Sequence, residues 1–344
     1  MRIAVVGGGP VGLYAAGTAA RSGLDVTLIE KRTGTPDKAC GEGLMPTALA
    51  ALEELGVDAE GFDFHGIRYL SATGERQAHA ALVDGSGRGL RRTTLVAALQ
   101  TRADQLGVRR VTHRVIDHAQ QGEHVHLECD DGTAFEVDLV LATDGLSSGL
   151  RRQARLEVPS GVPARFGLRR HFAVQPWSDD VEVYWADQGE AYVTPVAHDM
   201  VGVALLGPRG GAFESRLQHF PALRERLRQA ASVGPVLGAG PLRRKAARPL
   251  HGRVLLVGDA AGYVDALTGE GLAIGFLSAQ AAVAATVTGD LEQYAAEWRR
   301  ITRRFRWSTE LLLRATTAQA PRSVLLPLAA SWPSLFGRAV RVMT

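Results

Sequence analysis

The sequence predicts an α/β protein: a three-layer Rossmann-like domain, split in the chain, with an inserted antiparallel-sheet domain and a helical C-terminal segment. Three observations predict it. The apolar run Ile3-Ala4-Val5-Val6 meets Gly7-Gly8-Gly9-Pro10-Val11-Gly12, a small-residue helical stretch from Leu13 to Ser22, and a second apolar run, Val26-Thr27-Leu28-Ile29, ending in Glu30. Residues 165 to 206 read as strands, with alternation in Val181-Glu182-Val183-Tyr184-Trp185. Strand-and-turn character like that of the N-terminus then returns at Val254-Leu255-Leu256-Val257-Gly258-Asp259-Ala260-Ala261-Gly262.

The first thirty residues are strand, glycine turn, helix, strand and acidic residue. Gly7, Gly9 and Gly12 fit G-x-G-x-x-G. Gly7 permits a tight turn, Gly9 lets a pyrophosphate approach the backbone, and Gly12 lets the helix sit close on the strand. The helix N-terminus offers unpaired N–H groups and positive dipole charge to phosphates. Glu30 is placed to hydrogen-bond a ribose hydroxyl, which predicts preference for a free 2′-OH. With 39 glycines in 344 residues, chance supplies about half a match to this spacing somewhere in the chain. The surrounding strands, helix and carboxylate therefore carry the assignment, against a glycine cluster that merely packs a helix.

Later elements follow in order. Pro46–Leu55 reads as a helix stopped by Gly56, and 62–83 as short strands with turns at Gly66 and Thr73-Gly74. Thr93–Leu106 carries Val96, Leu99, Ala103 and Leu106 at helical spacing and stops at Gly107. Val111–Asp117 and His124–Cys129 alternate like strands, Asp131-Gly132 is a hairpin turn, and Val137–Ala142 is a buried strand. Phe213–Ala231 reads as one amphipathic helix, and a long helix follows Glu270-Gly271. The boundaries are 1–158 and 252–290 for the split domain, 159–251 for the insert, and 291–344 for a helical segment broken by Pro321, Pro327 and Pro333.

Composition narrows the class. The chain is 46% hydrophobic and 22% charged with a net charge of +3, and its arginines are spread, so nucleic acid is not an expected partner. Two cysteines without C-x-x-C speak against a disulfide framework or a cysteine metal site and suit a reducing cytoplasm. No signal peptide precedes the first strand, and no apolar run approaches a membrane span.

Two further motifs complete a set: Asp144-Gly145-Leu146-Ser147-Ser148-Gly149-Leu150-Arg151, and Gly258-Asp259-Ala260 continuing to Thr268-Gly269-Glu270-Gly271. With Gly7–Gly12 they match G-x-G-x-x-G, D-G-x-x-S-x-(V/L)-R and G-D-A in order. The chain, up to about Gly289, resembles the flavoprotein monooxygenase superfamily typified by para-hydroxybenzoate hydroxylase. Cys40-Gly41-Glu42-Gly43-Leu44 and Gly258–Tyr263 with Leu267–Gly271 look most like its geranylgeranyl-reductase branch. Gly262 stands where aromatic hydroxylases carry His, and Ala266 where both groups carry Pro. The W-x-W-x-I-P motif of flavin halogenases is absent.

The resemblance implies FAD as cofactor and NAD(P)H as reductant. It places the pyrophosphate on Gly7, Gly9, Pro10 and Gly12, the adenosine ribose on Glu30 with Lys31 beside it, and Arg92 along the FAD. It places Asp259 near the ribityl chain or pyrophosphate, and sets the backbone N–H groups of Gly269, Gly271 and Leu272 against the flavin N1–C2=O edge. Asp144 and Arg151 belong to a motif that supports both FAD and reductant. Cys40 and Glu42 are candidate catalytic residues, with a small packing side chain and a solvated loop carboxylate as the plain alternatives. His171 and His198 carry no motif and are unassigned.

The implied activity is an NAD(P)H-dependent monooxygenase that hydroxylates a hydrophobic or aromatic small molecule. The alternatives are a geranylgeranyl-reductase-type enzyme that saturates C=C bonds and a non-catalytic flavin-binding protein. Tyr294, Trp298, Ile301 and Phe305 share a helical stripe beside Arg299, Arg300, Arg303, Arg304 and Arg306. That helix either packs on the core with a solvated basic face or touches a membrane surface.

Overall fold

The structure, a computed structural model, describes residues 1–317 apart from Pro36, Asp84, Val162, Leu267 and Thr268, and leaves aside the side chains of Arg304 and 306–317. Pro321, Pro327 and Pro333 lie outside the described residues.

A six-stranded sheet forms the centre of the first domain, in the order Leu250–His251, Val254–Leu256, Leu139–Ala142, Arg2–Val6, Asp25–Glu30, Arg109–Thr112. All neighbours run parallel except the first pair. Such strands are covered on both faces, and Ala4, Val5, Leu139, Val140, Leu141, Leu255 and Leu256 are fully buried. The helix Pro10–Arg21 packs between Arg92–Gln105 and Gly271–Thr288. An antiparallel meander, Val115–Gln121, His124–Cys129 and Ala134–Val137, adds Val125, Leu127 and Val137 to the same core.

Gly271–Thr288 corrects the expectation about apolar runs: it is long and apolar enough to cross a membrane. Ala273, Phe276, Ala279, Ala282, Val283 and Ala285 are nonetheless buried in the core. Its Ala- and Gly-rich surface lets it approach the first helix, where Gly275 abuts Val11 and Tyr14 stacks on Phe276 at 4.5 Å.

The second domain is a seven-stranded sheet ordered Ala231–Ala239, Phe166–Ala173, Met200–Gly207, Gly189–Ala197, Val181–Ala186, Gly66–Ser71, Gln77–Ala81. Its last two strands precede residue 159, so the boundary read from sequence is incomplete. Gly66–Ser71 joins Val181–Ala186 in parallel, a long-range pairing that local alternation does not encode. On the other side of the boundary, Leu250–His251 already pairs in the first domain's sheet. The single helix expected over Phe213–Ala231 is two short ones, Phe213–Leu217 and Pro221–Arg226, followed by a strand. Pro221 cannot continue a helix begun before it and instead starts a new one.

One face of this sheet (Leu70, Phe172, Tyr184, Val193, Val203, Leu205) is closed by the two short helices through Phe213 and Leu223. The opposite face turns towards the first domain, where Ile67, Val183, Tyr69, Trp185 and Tyr192 meet Met45 and Phe64. C-terminally, Leu291–Thr317 is one helix. Tyr294, Trp298 and Phe305 are buried, with Arg299, Arg300 and Arg303 exposed, so these aromatic residues are occupied by packing.

The two domains approach closely at Gly89, where a Cβ would overlap the Pro195 carbonyl oxygen and lie 2.9 Å from Thr194 Cγ2. Gly89→Ala is therefore expected to cost about 1–3 kcal/mol, the usual range for overpacking. Urea unfolding checks it: an unchanged midpoint would mean that this junction yields freely.

Candidate functional site

The glycine turn is built from steric contacts. Gly7 holds φ at +112°, and a Cβ there would sit 2.6 Å from the Thr143 carbonyl oxygen. A Cβ on Gly12 would overlap the Gly7 carbonyl and lie 2.6 Å from Thr143 Oγ1. Both glycines thus let the first helix and the second motif close around the strand end. Pro10 occupies the first helical turn, where no N–H is needed. At Gly9, by contrast, the only atom near a Cβ is Arg92 Nη2 at 3.4 Å. Gly9 borders open space rather than protein, as a pyrophosphate cradle requires.

Glu30 ends the second strand as expected, but it first braces the turn. Its Oε2 accepts from Gly8 N–H at 2.7 Å, and its Oε1 accepts from Arg32 N and Nε at 3.1 Å each. A ribose contact would use the carboxylate's remaining lone pairs.

Cations gather beside Gly9. Arg92 opens the helix Arg92–Gln105, and its Nε is buried without a partner. Loss of hydration, then Arg92, Arg32 and Lys31, push the Lys38 ammonium below its usual range, and Asp259 opposes them. Loss of hydration raises the Asp259 carboxyl above the usual range against the pull of Arg92, Lys38 and Arg151. Lys31 is exposed at the rim. Positive charge is therefore crowded around an open glycine turn at a helix N-terminus, where a pyrophosphate would neutralise it. The residues present fit FAD on that ground.

The side chains of the second motif first bond to protein. Asp144 Oδ2 accepts from the N–H groups of Gly149 and Leu150, and Ser148 Oγ accepts from Arg151 N–H at 2.9 Å, so both cap the helix Gly149–Gln153. Asp144 Oδ1 is buried with no partner and remains as an acceptor at the site's edge. Arg151 is fully buried and beyond contact with a dissociable reductant. It donates to the carbonyls of Ala260 at 2.9 Å, Leu146 at 2.8 Å and Asp259 at 3.4 Å, and pairs with Glu157. Its role is to join the second motif to the third.

At the third motif, the helix Gly271–Thr288 begins with no side-chain cap among the described residues. Gly269 faces open space, Leu272 is half-buried, and a Cβ on Gly271 would lie 3.2 Å from the Tyr263 ring. An uncapped helix start attracts negative charge. Burial, then Asp259, Asp265 and Cys40, hold the Tyr263 phenol well above its usual range. Cys40 is thus within electrostatic reach of the ring that packs on this helix start. Cys40 is half-buried, and its Sγ accepts from Glu42 N–H at 3.5 Å.

Glu42 is not a solvated loop carboxylate. It is 4% exposed and holds φ at +61°. Its Oε2 lies 2.6 Å from His171 Nε2, and its Oε1 accepts from Arg92 N–H at 2.9 Å. Arg169 contributes from both sides: Nη1 donates to His171 Nδ1 at 3.0 Å, and Nη2 meets Asp37 Oδ1 at 2.5 Å. Since guanidinium only donates, His171 Nδ1 accepts, and the ring proton sits on Nε2 and points to Glu42. With both oxygens engaged, Glu42 is a fastening and positioning group rather than a free acid.

Sequence reasoning left His171 unassigned and did not single out Arg169, Lys38, Trp185 or Tyr192. One signal was available: Arg169 and His171 alternate on one strand, so both point to the same face. Which element that face meets is a long-range fact. His198 packs edge-on against Phe62 at 5.5 Å and is away from this network.

Two outcomes follow for the cofactor site. Gly9→Val should abolish FAD binding while circular dichroism and urea unfolding of the ligand-free protein stay near wild type, because only the flexible Arg92 end must move. Stoichiometric FAD in that variant would refute the cradle. Asp259→Asn should weaken FAD binding by about 1–3 kcal/mol, a hydrogen bond to a charged group, yet stabilise the ligand-free protein at pH 7. The folded carboxyl titrates above the unfolded one, so ionisation removes stability as pH rises from about 4. The variant's advantage should therefore vanish below that pH; unfolding curves from pH 3 to 7 give the comparison.

Comparison with known proteins identifies the family of the chain. The family described as "FAD binding domain" matches residues 1–287. Menaquinone reductase of Mycolicibacterium smegmatis is 28% identical over 329 residues, covering 86% of this chain and 78% of that protein. Digeranylgeranylglycerophospholipid reductase of Methanosarcina acetivorans is 29% identical, with coverages of 87% and 81%. A Rhodococcus erythropolis protein named for 2-heptyl-3-hydroxy-4(1H)-quinolone synthase is 30% identical, with coverages of 94% and 91%. Among solved structures, p-nitrophenol 4-monooxygenase of Pseudomonas putida superposes with a TM-score of 0.83 at 20% identity, over 99% of this chain and 95% of that one, which shows a shared fold. The chain belongs to the FAD-binding-domain family and is an FAD-dependent oxidoreductase.

Proposed function

We propose that this flavoprotein is an NAD(P)H-dependent monooxygenase that hydroxylates a hydrophobic ring-bearing small molecule. One observation carries the reading. The sheet face over the cofactor domain sets Tyr69, Trp185 and Tyr192 beside Ile67, Val183, Met45 and Phe64. That face is largely apolar and aromatic, with the Arg165–Glu190 pair beside it, which suits a flat ring-bearing substrate. A relative covered over 94% of this chain and 91% of its own length is named for a hydroxyquinolone synthase, which supports a ring oxidation.

FAD, once reduced, supplies electrons either to O2 for oxygen transfer or directly to a substrate as hydride. The chain's own residues do the rest. Gly7–Gly12, Lys38 and Arg92 bind the pyrophosphate. The uncapped start of Gly271–Thr288 stabilises negative charge on the reduced ring system. The Asp37–Arg169–His171–Glu42 chain fastens the loop carrying Cys40 to the sheet above, which sets the height of the compartment.

A second reading, saturation of a C=C bond, is supported by the relatives named as reductases. Turnover under 18O2 with NAD(P)H separates the two. A 2-alkyl-4-quinolone, menaquinone and a geranylgeranyl lipid serve as test substrates. The proposal predicts product carrying one 18O atom. A product gaining two hydrogens and no 18O, formed equally well without O2, would replace it with the reductase reading. Reductant oxidation yielding hydrogen peroxide alone with every substrate would point to a binding protein.

A further inference from the structure

A second concavity lies apart from the Gly9 cradle, between the turn that follows the helix Gly149–Gln153 and the segment that leads into the strand Arg244–Ala246. It measures about 610 Å³, a volume in the range of small-molecule sites. Arg152, Arg155, Arg243 and Arg244 line it, and among the described residues Glu157 is the one carboxylate that faces them. Pro159 and Pro241 add an apolar wall.

The positive charge of this lining is not balanced from within. Glu157 Oε1 is already shared, with Arg151 Nη2 at 3.3 Å and Arg244 Nη1 at 3.7 Å. Arg244 Nε is buried without an acceptor among the described residues. Arg152 gives its Nη1 to the carbonyl of Ser147 at 3.1 Å, a neutral partner that satisfies a hydrogen bond and leaves the charge. Arg243 has an interaction of its own within the protein. Four guanidinium groups gathered in one concavity repel each other unless an anion comes between them.

Arg155 stands there at a backbone cost. It holds φ at +55°, one place beyond Ala154, the C-cap of Gly149–Gln153. Its N–H bonds to the Arg152 carbonyl, and Leu156 N–H bonds to that of Arg151. This is the left-handed helix stop that glycine fills without strain. An arginine in that place strains the turn and brings a guanidinium to the cavity.

We propose that this cavity binds a phosphate group bearing two or more negative charges, with any organic body of the ligand lying along Pro159 and Pro241. Guanidinium forks match phosphate oxygens in pairs. A carboxylate satisfies one such fork, whereas a phosphate or pyrophosphate offers oxygens to several and outweighs the repulsion of Glu157. Gly9, Lys38 and Arg92 are not part of the lining, so the site is additional to the cradle for the FAD pyrophosphate. It is also independent of whether the flavin transfers oxygen or hydride. Two sources share this chemistry, a free anion and a nucleotide, and the test separates them.

Calorimetric titration of the FAD-loaded enzyme at low ionic strength, with inorganic pyrophosphate and ADP as probes, tests the site; flavin absorbance after dialysis checks that FAD stays bound. Arg155→Gly removes one guanidinium and relieves the turn, so its urea midpoint should not fall below wild type. Combined with Arg152→Gln it should raise Kd about tenfold for the probe that binds, as the loss of a hydrogen bond to a charged group requires. Arg224→Gln removes an exposed arginine of Pro221–Arg226, outside the cavity, and should leave Kd unchanged. Tighter binding of ADP than of pyrophosphate supports the proposal with a nucleotide as ligand; pyrophosphate binding at least as tight as ADP supports it with a free anion. Failure of both probes to bind the wild type overturns it. So does an unchanged Kd in the double variant, or an equal loss in Arg224→Gln, which would mark a diffuse attraction of the basic surface for anions. Should the double variant not fold, Arg155→Gly alone decides by the same comparison.

Discussion

Arg151 carries a full positive charge into a place no water reaches, and the cofactor site depends on how that charge is satisfied. Its guanidinium bridges the carbonyls of Leu146, Asp259 and Ala260 and pairs with Glu157. These groups come from segments more than a hundred residues apart. A planar fork of donors meets carbonyls at several angles at once, which a lysine cannot do. Holding the Asp259 carbonyl places the Asp259 carboxylate, and holding the second motif places Thr143 against Gly7 and Gly12. Three motifs that are distant in sequence share one corner of the domain because this side chain joins two of them and glycine lets the third approach.

The site is charged in a way that disfavours the empty protein. Lys38 and Arg92 crowd one another, and Asp259 is raised despite their attraction. Loss of hydration acts on the half-buried Asp259 carboxyl, and on the exposed Lys38 ammonium it acts together with the neighbouring Arg92 and Arg32 charges. A bound pyrophosphate supplies the missing negative charge, and ribityl hydroxyls supply hydrogen bonds to the carboxylate.

The second domain is positioned by contacts of two kinds. Gly89 against Pro195 is steric and sets the closest approach. The chain Asp37, Arg169, His171, Glu42 is polar and directional. Breaking a buried pair by removing one partner leaves an uncompensated charge, so this chain resists sliding of the sheet over the loop that bears Cys40. Arg165 adds a second tie, bridging Glu190 of the sheet and Asp265 beyond the third motif. Together these contacts set the space in which Trp185, Tyr69 and Tyr192 face the cofactor domain.

Local pattern determined the first domain almost entirely. A strand, a glycine turn, a helix and an acidic strand end are encoded within thirty residues, although the steric demand on Gly7 and part of that on Gly12 come from the distant Thr143. Pro46–Leu55 has the predicted bounds, and Asp131-Gly132 makes the predicted turn. Tertiary structure alone decided the rest. Gly66–Ser71 belongs to the far sheet because it pairs with residues more than a hundred positions away. Glu42 is buried because His171 and Arg169 come down onto it from another domain. Arg151, expected near the reductant, is sealed inside because the third motif folds over it. Periodicity and spacing specify which side of an element a residue occupies; what waits on that side is settled by packing between distant segments, and the chemistry of the cleft arises there.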